Sequence, residues 1–346
     1  LVSIDGLAAY HLLNEDLELP RIRRLIRDGA WAASSETVFP SVTHPSHTTI
    51  LTGVEPRLHG VLSNSMTDRR TGEEFHPTNK RRTDIVKVPT LFDLAKRKGL
   101  ATASFFWPET KDDPSVDFSI PEVLDAKRKA ERSAVPPAGL EELRRAGVAI
   151  DLYFDWYGGE RQGAGDLILA EAAAHAIRAR KPALTAIHIL VTDKNQHAHG
   201  PRHYLSSAAL SAADDCVGLL VDAVENAGIA ASTAFVVAAD HGFHSVAHEL
   251  NVMPVFERAG LAGKLDFDGG GWNLTLVRNA KFDRQKDQPK LEAAFRELLA
   301  HPNVARVAGP DDMHALGQPR YEEDPHAMGE YFVIPDIDTA LTAKPG

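Results

Sequence analysis

Cysteine is nearly absent from this chain of 346 residues, because Cys216 is the only one. A single cysteine cannot form an intrachain disulfide, and it cannot build the cluster of thiolates that holds many structural zinc ions. Cys216 lies in a stretch with helical spacing of apolar residues, where a free cysteine behaves as a small apolar side chain. We therefore predict that it is a buried core residue.

Long apolar runs and long basic runs are also missing. No apolar run approaches the length of a membrane-spanning helix, so we expect no membrane span. The net charge is −10 and no long basic run is present, which argues against a nucleic-acid polymer as a partner. An anionic substrate then needs a local source of positive charge, and a bound metal ion supplies one.

Length and composition are those of a globular protein with a large core. Hydrophobic residues make up 43% and charged residues 25% of the chain, and we expect one catalytic domain over residues 1–346. The chain starts with Leu1 inside a strand-like run, so we expect that the natural N-terminus precedes it. A removed signal peptide is neither required nor excluded, and periplasmic, secreted and cytoplasmic locations all stay open.

Strand-like runs alternate with helical patterns along most of the sequence. The expected strands are residues 1–4, 101–106, 186–191 and a run that ends at Ala239, and the expected helices are 20–28, 90–98, 166–178 and 210–224. Thr90 is the expected N-cap of the second helix, and Gly29 is expected to end the first. This alternation predicts an α/β fold, a three-layer α/β/α sandwich around a mostly parallel sheet.

Residues 111–165 interrupt the alternation. The segment contains four prolines, a charged helix-like run near residues 125–132 and the aromatic residues Tyr153, Phe154, Trp156 and Tyr157. Long insertions in compact domains often carry binding functions. We interpret the segment as an inserted cap or lid over the carboxyl edge of the sheet. The alternative is a surface excursion without a role in binding.

Aspartate and histidine recur at three distant places, each just past a strand-like apolar run. The residues are Asp5 after the first run, Asp193 and His197 after the run at 186–191, and Asp240 with His241 after the run that ends at Ala239. The carboxyl ends of strands are where open α/β sheets build their sites. Carboxylate and imidazole ligands together suit zinc or a similar divalent metal, so the pattern indicates a metal-dependent enzyme.

A second informative stretch covers residues 39–53, Phe-Pro-Ser-Val-Thr-His-Pro-Ser-His-Thr-Thr-Ile-Leu-Thr-Gly. A turn from strand to helix would present its hydroxyls at a helix N-terminus, where backbone N–H groups favour an anion. A hydroxyl beside a divalent metal can lose its proton near neutral pH and attack phosphorus. The alternative for this stretch is an ordinary turn with a threonine N-cap.

Taken in order, these pieces resemble the alkaline phosphatase superfamily and, within it, the type I phosphodiesterase/nucleotide pyrophosphatase family. The matching segments are Ser3-Ile4-Asp5-Gly6, residues 39–53 with Pro56 and His59-Gly60-Val61, Asn64, Phe106-Trp107-Pro108, Asp193-x-x-x-His197-x-x-Gly200-Pro201 and Asp240-His241-Gly242. They run in family order across roughly the first 245 residues, and their common order carries the resemblance.

The resemblance implies two divalent metal ions. The implied ligands are Asp5, Thr43, Asp240 and His241 for the first ion, and Asp193 and His197 for the second. We expect Zn²⁺ at both positions, with iron and manganese as alternatives because carboxylate and imidazole serve all three metals.

The resemblance also assigns two roles in catalysis. Thr43 matches the family nucleophile, two residues before Pro45. Asn64 matches the asparagine that hydrogen-bonds a phosphoryl oxygen, which is the side-chain counterpart of an oxyanion hole.

The sequence departs from the family pattern at two points. The second metal normally takes a further histidine near the C-terminus, and we expect that this ligand lies beyond Gly346, with His326 and His314 as alternatives. Nucleotide-preferring members carry an aromatic residue after the nucleophile, and here that position is His44. A nucleotide substrate is therefore less strongly indicated than a phosphodiester in general.

Other histidines have simpler interpretations. His244 and His248 would share one face if their stretch were helical, which allows a third metal, although exposed or capping histidines are the more ordinary outcome. We expect His47 to pack or hydrogen-bond under the nucleophile turn, and His188 to be a satisfied core histidine.

The predicted function is a metal-dependent hydrolase that cleaves phosphodiester or pyrophosphate bonds of small molecules through a phospho-threonine intermediate. The alternatives are a phosphomonoesterase or phosphonate hydrolase of the same superfamily, or a non-catalytic metal- or phosphate-binding homologue. A sulfatase is disfavoured because its nucleophile derives from cysteine or serine, whereas this chain has Thr43. The expected partner is a small-molecule phosphate ester, and the sequence leaves the oligomeric state open.

Overall fold

The computed structural model describes residues 1–124 and 129–344. Backbone contacts divide the chain into two compact units, Leu1–Ser65 with Phe75–Phe243, and Met66–Glu74 with His244–Gly346. Every residue predicted above as a catalytic group or metal ligand by motif lies in the first unit. The single catalytic domain over residues 1–346 stays a prediction.

The strands, in chain order, are β1 (Val2–Ile4), β2 (Met66–Asp68), β3 (Glu73–Phe75), β4 (Thr102–Phe105), β5 (Phe118–Ile120), β6 (Leu184–Ile189), β7 (Val237–Ala238), β8 (His248–Asn251), β9 (Leu265–Gly270), β10 (Asn273–Arg278), β11 (Val304–Ala308), β12 (Tyr331–Pro335) and β13 (Thr339–Thr342).

The α-helices are α1 (Ala9–Leu13), α2 (Pro20–Asp28), α3 (Thr43–Thr52), α4 (Pro56–His59), α5 (Arg82–Ile85), α6 (Leu91–Arg97), α7 (Lys129–Arg132), α8 (Pro137–Arg145), α9 (Ile150–Trp156), α10 (Gln162–Arg180), α11 (Val191–His199), α12 (Tyr204–Asn226), α13 (Met253–Arg258) and α14 (Arg284–Leu299). Short 3₁₀ turns lie at Pro77–Asn79, Ala230–Ser232 and His314–Leu316.

The central sheet of the first unit has the strand order β5-β4-β6-β1-β7, and every pairing in it is parallel. In β1, Val2 pairs with Ile187 of β6 on one side and with Val237 of β7 on the other. All four strands expected from the sequence belong to this sheet. Because the strands run in one direction, their carboxyl ends meet at one edge.

Helices cover both faces of the sheet. Side chains of a strand alternate between its faces, and β6 shows the result. Ile187 and Ile189 pack in the main core with side chains of α10 and α12, whereas Ala186 packs with Leu51 of α3 and Phe92 of α6. The predicted three-layer α/β/α sandwich is therefore confirmed.

Local sequence signals explain the helix ends near the core. Thr90 caps α6 in a reciprocal arrangement, because its hydroxyl accepts the Asp93 N–H while the Asp93 carboxylate accepts the Thr90 N–H. The helix predicted at 20–28 is α2, which ends before Gly29. Cys216 is fully buried on α12, as predicted.

Part of the segment 111–165 belongs to the sheet itself, because β5 forms its edge strand. The segment also contains α8 and α9, and Tyr153 of α9 is fully buried in the main core. Residues 125–128 of the expected charged run lie outside the described residues. A role of the remaining segment as a cap or lid stays a prediction.

The second unit is built on an antiparallel sheet with the order β11-β12-β10-β9. Leu291 and Leu298 of α14 pack in its core. His244 precedes β8 and His248 begins it, so the helical face that the two histidines were expected to share does not form. Within residues 1–124 and 129–344, no helix combines the length and the apolar character that crossing a membrane requires.

Candidate active site

Three neighbouring strands deliver the predicted acidic residues to one place. Asp5 directly follows β1, α11 with Asp193 starts just after β6, and Asp240 follows β7 by one residue. These three strands lie side by side in the order β6-β1-β7, so their carboxyl ends converge. Asp5 and Asp240 are both buried there.

His241 lies at the centre of these carboxylates. Its Nε2 atom is 3.3 Å from Asp5 Oδ1, 3.6 Å from Asp240 Oδ2 and 4.0 Å from Asp193 Oδ1. Asp5, Asp193 and His241 each offer one possible ligand atom, and these three atoms lie within 4.8 Å of one another. Asp193, which the resemblance assigned to the second ion, therefore also lies next to two ligands of the first.

Asp193 and His197 lie on helix α11, whereas His197 was expected just past a strand. Asp193 is in the first turn of this helix, and its Oδ1 atom is 3.4 Å from His197 Nε2 one turn later. The helix is attached to the end of β1 by two hydrogen bonds. The Thr192 hydroxyl donates to the Asp5 carbonyl oxygen, and Gln196 Nε2 donates to the Gly6 carbonyl oxygen over 2.9 Å.

The charges of this cluster are unbalanced toward the negative. Burial and then the neighbouring charge of Asp193 raise the pKa of Asp5, and burial followed by Asp5 raises the pKa of Asp240. Burial disfavours the charged form of His241, but Asp240 and Asp5 outweigh it and raise the pKa of His241 to about 9. A group of carboxylates that holds a nearby imidazole in its cationic form is also suited to hold a metal cation.

Buried ligand atoms without partners support the same conclusion. Asp5 Oδ1, Asp240 Oδ2 and His47 Nε2 are buried, and none has a hydrogen-bond partner among the described residues. Buried polar atoms are normally paired, so these atoms call for an explanation. Carboxylate oxygens and imidazole nitrogens are the ligands of zinc and related metals, and the residues present therefore fit a divalent metal.

His188 holds one of the predicted ligands in place. Its Nε2 atom is 3.1 Å from Asp5 Oδ2, and burial lowers the pKa of His188 to about 4, which keeps the ring neutral. A neutral imidazole that donates to a ligand carboxylate fixes the orientation of that ligand. The sequence interpretation as a core histidine missed this contact, although a histidine inside an apolar strand was a visible signal.

His47 connects the metal cluster to the nucleophile turn. Its Nδ1 atom donates to the Thr43 carbonyl oxygen over 2.8 Å and lies 3.6 Å from Asp240 Oδ2. Burial, and next the neighbouring His188, lower the pKa of His47. His47, His188 and Asp240 offer ligand atoms within 4.8 Å of one another. The expectation that His47 hydrogen-bonds under the turn is confirmed.

Thr43 is the first residue of α3, a helix of 10 residues preceded by Val42 in an extended conformation. The first N–H groups of a helix lack partners within the helix, so they point toward an incoming anion. One of them is used here, because the His44 N–H donates to Asn64 Oδ1 over 2.8 Å. Asn64 therefore lies at the N-terminus of α3, beside the residue predicted as the nucleophile.

The side chain of His44 is buried in the protein interior. Its Nδ1 atom is 2.7 Å from Glu109 Oε1, and its side chain is 3% exposed. Burial disfavours the charged form, but Glu109 outweighs it and raises the pKa of His44 to about 9. Glu109 also accepts a hydrogen bond from the Thr48 hydroxyl over 3.1 Å. A ring buried in this pair offers no open face for stacking on a nucleobase.

Glu109 is a residue that sequence reasoning missed. It lies just beyond the carboxyl end of β4 and takes a φ of +53°, which is unusual for a residue other than glycine. Its position after Phe106-Trp107-Pro108 follows the same strand-end rule that identified Asp5. The signal was therefore available in the sequence, but a single glutamate at a strand end is a weak one.

His314 and His326, the alternatives for the missing ligand, lie in the second unit. His314 Nε2 is 2.7 Å from Glu323 Oε2, and His326 Nδ1 is 3.0 Å from Asp324 Oδ1. The further ligand of the second metal stays a prediction.

Comparison with known proteins agrees with the resemblance found in the motifs. The family profile described as type I phosphodiesterase/nucleotide pyrophosphatase matches residues 1–345. Ectonucleotide pyrophosphatase/phosphodiesterase family member 1 of Rattus norvegicus is 25% identical over 244 residues, which are 70% of this chain and 23% of that protein. The venom phosphodiesterase of Naja atra is 24% identical over 248 residues, 71% of this chain and 26% of that protein. The matched part is thus about a quarter of each relative.

Solved structures share the fold along nearly the whole chain. Murine ectonucleotide pyrophosphatase/phosphodiesterase 5 superposes with a TM-score of 0.68 at 16% identity, covering 100% of this chain and 80% of that one. Phosphonoacetate hydrolase from Sinorhizobium meliloti, solved in complex with phosphonoacetate, superposes with a TM-score of 0.73 at 18% identity, covering 99% and 81%. At these identities the similarity shows a common fold.

Proposed function

Because the chain belongs to the type I phosphodiesterase/nucleotide pyrophosphatase family, we propose that it is a metal-dependent hydrolase of phosphodiester or pyrophosphate bonds in small molecules, acting through a phospho-threonine intermediate. One observation carries the proposal. Buried carboxylate oxygens of Asp5 and Asp240 lack partners among the described residues, and they lie beside the helix that begins at Thr43.

Two divalent ions are proposed as cofactors, and Zn²⁺ is the preferred identity. The proposed ligands are Asp5, Thr43, Asp240 and His241 for one ion and Asp193 with His197 for the other. Bound there, the metals neutralise phosphoryl oxygens and favour deprotonation of a hydroxyl or a water. The number and the identity of the ions are part of the proposal.

Residues of the chain supply the nucleophile and the groups that stabilise charge on the phosphoryl group. Thr43 supplies the attacking oxygen, so that its Oγ1–phosphorus bond forms while the bond to the leaving oxygen breaks. Water then cleaves the phospho-threonine and restores the hydroxyl. The N-terminus of α3 stabilises the negative charge on the phosphoryl group, and Asn64, held at the His44 N–H, has amide hydrogens left to donate to it.

Relatives support the use of a threonine and of a phosphate ester. The murine family member 5 has an inactive form with a threonine-to-alanine substitution, solved in complex with AMP. Phosphonoacetate hydrolase shares the fold at the higher TM-score, which keeps a phosphonate hydrolase as the second candidate function. The burial of His44 against Glu109 favours substrates that need no stacking at this position.

The decisive variant is Thr43→Ala, with Thr52→Ala at the opposite end of the same helix as its control. We expect zinc-loaded wild-type protein to hydrolyse bis-p-nitrophenyl phosphate, and a chelator to stop it. Thr43→Ala should lower turnover by at least about a thousandfold because it removes the nucleophile. Zinc content should stay nearly the same, because Asp5, Asp240 and His241 remain to hold the first ion. Within the described parts of the chain, the Thr52 hydroxyl donates to the Thr48 carbonyl oxygen and to no group of the candidate site, so Thr52→Ala should keep nearly full turnover.

The same assay separates the alternatives. Full activity in Thr43→Ala would refute the nucleophile assignment. Turnover of phosphonoacetate with none of the diester would favour the second candidate function. A zinc-loaded protein that binds phenyl phosphate but turns over neither substrate would be a non-catalytic homologue.

A further inference from the structure

An aromatic and basic surface adjoins the candidate metal centre on the side of α11. The Phe243 ring meets the His197 ring edge to face at 4.7 Å and lies 6.4 Å from the His241 ring. The Tyr10 hydroxyl donates to the Phe243 carbonyl oxygen over 3.0 Å, and the Arg202 guanidinium lies 5.6 Å from the centre of the Tyr10 ring. Phe243, Tyr10 and Arg202 are called the ledge below.

Arg202 is an exposed cation without a carboxylate partner in the described parts of the chain. The whole chain carries a net charge of −10, so its average field repels anions. Tyr10 and Phe243 connect this guanidinium to the predicted metal ligands His197 and His241, so it adds positive charge on that side of the cluster. Guanidinium groups bind phosphate and carboxylate through two parallel hydrogen bonds, and an exposed Arg202 has the donors to do so.

The position of Arg202 is fixed to the same helix that carries the metal ligands. α11 ends at His199, its C-cap Gly200 takes a φ of +90°, and Arg202 follows two residues after that glycine. Between them, the Pro201 carbonyl oxygen lies 3.4 Å from His11 Nε2. The first residue after Arg202, His203, caps α12 by accepting the Leu205 N–H at Nδ1. The backbone that carries Arg202 is therefore held on both sides.

We propose that the ledge is a leaving-group subsite and that Arg202 binds a second anionic group, a phosphate or a carboxylate, carried by the leaving group. The inference rests on the proposed function, because it needs a phosphoryl group at the metal cluster. Phe243 and Tyr10 offer apolar surface between that cluster and the guanidinium. For a pyrophosphate substrate, the bond from Thr43 Oγ1 to phosphorus forms as the bridging P–O bond breaks, and water then cleaves the phospho-threonine. The departing phosphate carries the negative charge that Arg202 binds.

The test compares three substrates in zinc-loaded protein. Diphenyl pyrophosphate releases phenyl phosphate, bis(4-carboxyphenyl) phosphate releases a carboxylate-bearing phenol, and bis-p-nitrophenyl phosphate releases a phenol without a further acidic group. Arg202→Gln should lower kcat/KM for an anionic leaving group at least about tenfold more than for bis-p-nitrophenyl phosphate, mainly through KM. Arg202→Lys should recover part of this loss because it keeps the charge.

Arg178→Gln is the matched control. Arg178 is an exposed arginine without an ion pair among the described residues, and it lies in the last turn of α10, before β6 and thus at the opposite end of the sheet. Its variant changes the net charge by the same amount and should change all three substrates equally. If Arg202→Gln lowers kcat/KM selectively for only one of the two substrates with an anionic leaving group, that substrate identifies whether the ledge binds a phosphate or a carboxylate.

Two results would overturn the inference while leaving the proposed function intact. One is an equal loss for all three substrates in Arg202→Gln, and the other is no loss for any. If the wild type turns over no diester, the proposed function fails. The binding of diphenyl pyrophosphate to zinc-loaded protein, measured by calorimetry, then tests the ledge independently of turnover. An affinity weakened about tenfold by Arg202→Gln but not by Arg178→Gln supports the ledge, and equal affinities refute it.

Discussion

The two halves of the candidate metal centre differ in how they are held. The strand-end half, Asp5, Asp240 and His241, has side chains that are 6%, 0% and 11% exposed. The helix-borne half, Asp193 and His197, has side chains that are 22% and 70% exposed. One half is part of the packed interior, and the other lies on the surface of α11.

Hydrogen bonds reinforce this difference. Asp240 Oδ1 accepts the N–H groups of Gly6 and His241 over 3.1 and 2.9 Å, and Asp5 Oδ2 is held by His188. His197 has Asp193 as its polar contact and Phe243 as its ring contact. A preorganised set of ligands binds metal without a further ordering cost, whereas mobile ligands must first be ordered. The comparison therefore predicts a tight first metal site and a weaker second one.

The largest effect should come from removing one carboxylate from each half. Asp240→Asn should weaken the tight site by more than the roughly 10–100-fold that loss of an outer partner costs. Asp193→Asn, the matched change on α11, should leave one tightly bound zinc and lower the affinity of the weaker site. Zinc titration followed by calorimetry measures both affinities in both variants.

Loss of the same zinc in both variants would break the comparison. Asp193 lies within ligand distance of Asp5 and His241, so such a result would mean that the two halves form one shared site. Thr43→Ala turnover would still test the nucleophile in that case.

An intermediate effect is expected at His188, which touches the tight half without belonging to its predicted ligands. His188→Asn removes the hydrogen bond that orients Asp5 and should lower zinc affinity of the tight site by about 10–100-fold. His175→Asn is the control, because His175 of α10 pairs with Glu142 of α8 and not with a predicted metal ligand. An unchanged zinc affinity in His188→Asn would show that Asp5 needs no orienting partner.

The same comparison separates what the sequence predicts from what it does not. Asp5 and Asp240 were predictable because a carboxylate directly after an apolar parallel strand is a local pattern, and the strand order then brings the two together. Thr43 was assigned through the family resemblance, because residues 39–53 alone left an ordinary turn as the alternative, and the structure places it as the first residue of α3. The motifs and their order supplied the family.

The arrangement of the second half was not predictable from local pattern. Leu190 is already in a helical conformation, so the chain passes from β6 into α11 without a loop or a local capping residue. The cap comes instead from Asp166, whose Oδ2 atom accepts the N–H groups of Leu190 and Val191 over 2.9 and 2.7 Å. A contact between residues 24 positions apart leaves no periodic signal in the sequence. His188 and Glu109 carry weak local signals, but their contacts with Asp5 and His44 join residues that are distant in the chain and were missed.

The last predicted effect is on stability rather than on metal affinity, and it concerns this distant cap of α11. Burial raises the pKa of Asp166 to about 7, above the usual value of 3.8, although its hydrogen bonds work in the other direction. Between these two values the folded state holds a proton that the unfolded state has lost. The free energy of unfolding should therefore fall as pH rises through this window, by up to about 1.4 kcal/mol per pH unit, and level off above it.

Asp166→Asn should remove this slope, because an amide does not titrate. The difference between wild-type and variant unfolding free energies, measured by urea denaturation of the metal-free proteins, should shrink from pH 4 to pH 7. Asp117→Asn is the control. Partial burial raises the pKa of Asp117, but the hydrogen bonds led by the one from Lys96 outweigh it, and the net shift of the pKa is downward. The contribution of Asp117 to the free energy of unfolding is therefore constant above pH 5. If the difference in unfolding free energy between wild type and Asp166→Asn is also constant with pH, the Asp166 carboxylate stays charged and caps α11 as an anion. The second half of the metal centre would then be held more rigidly than its exposure suggests.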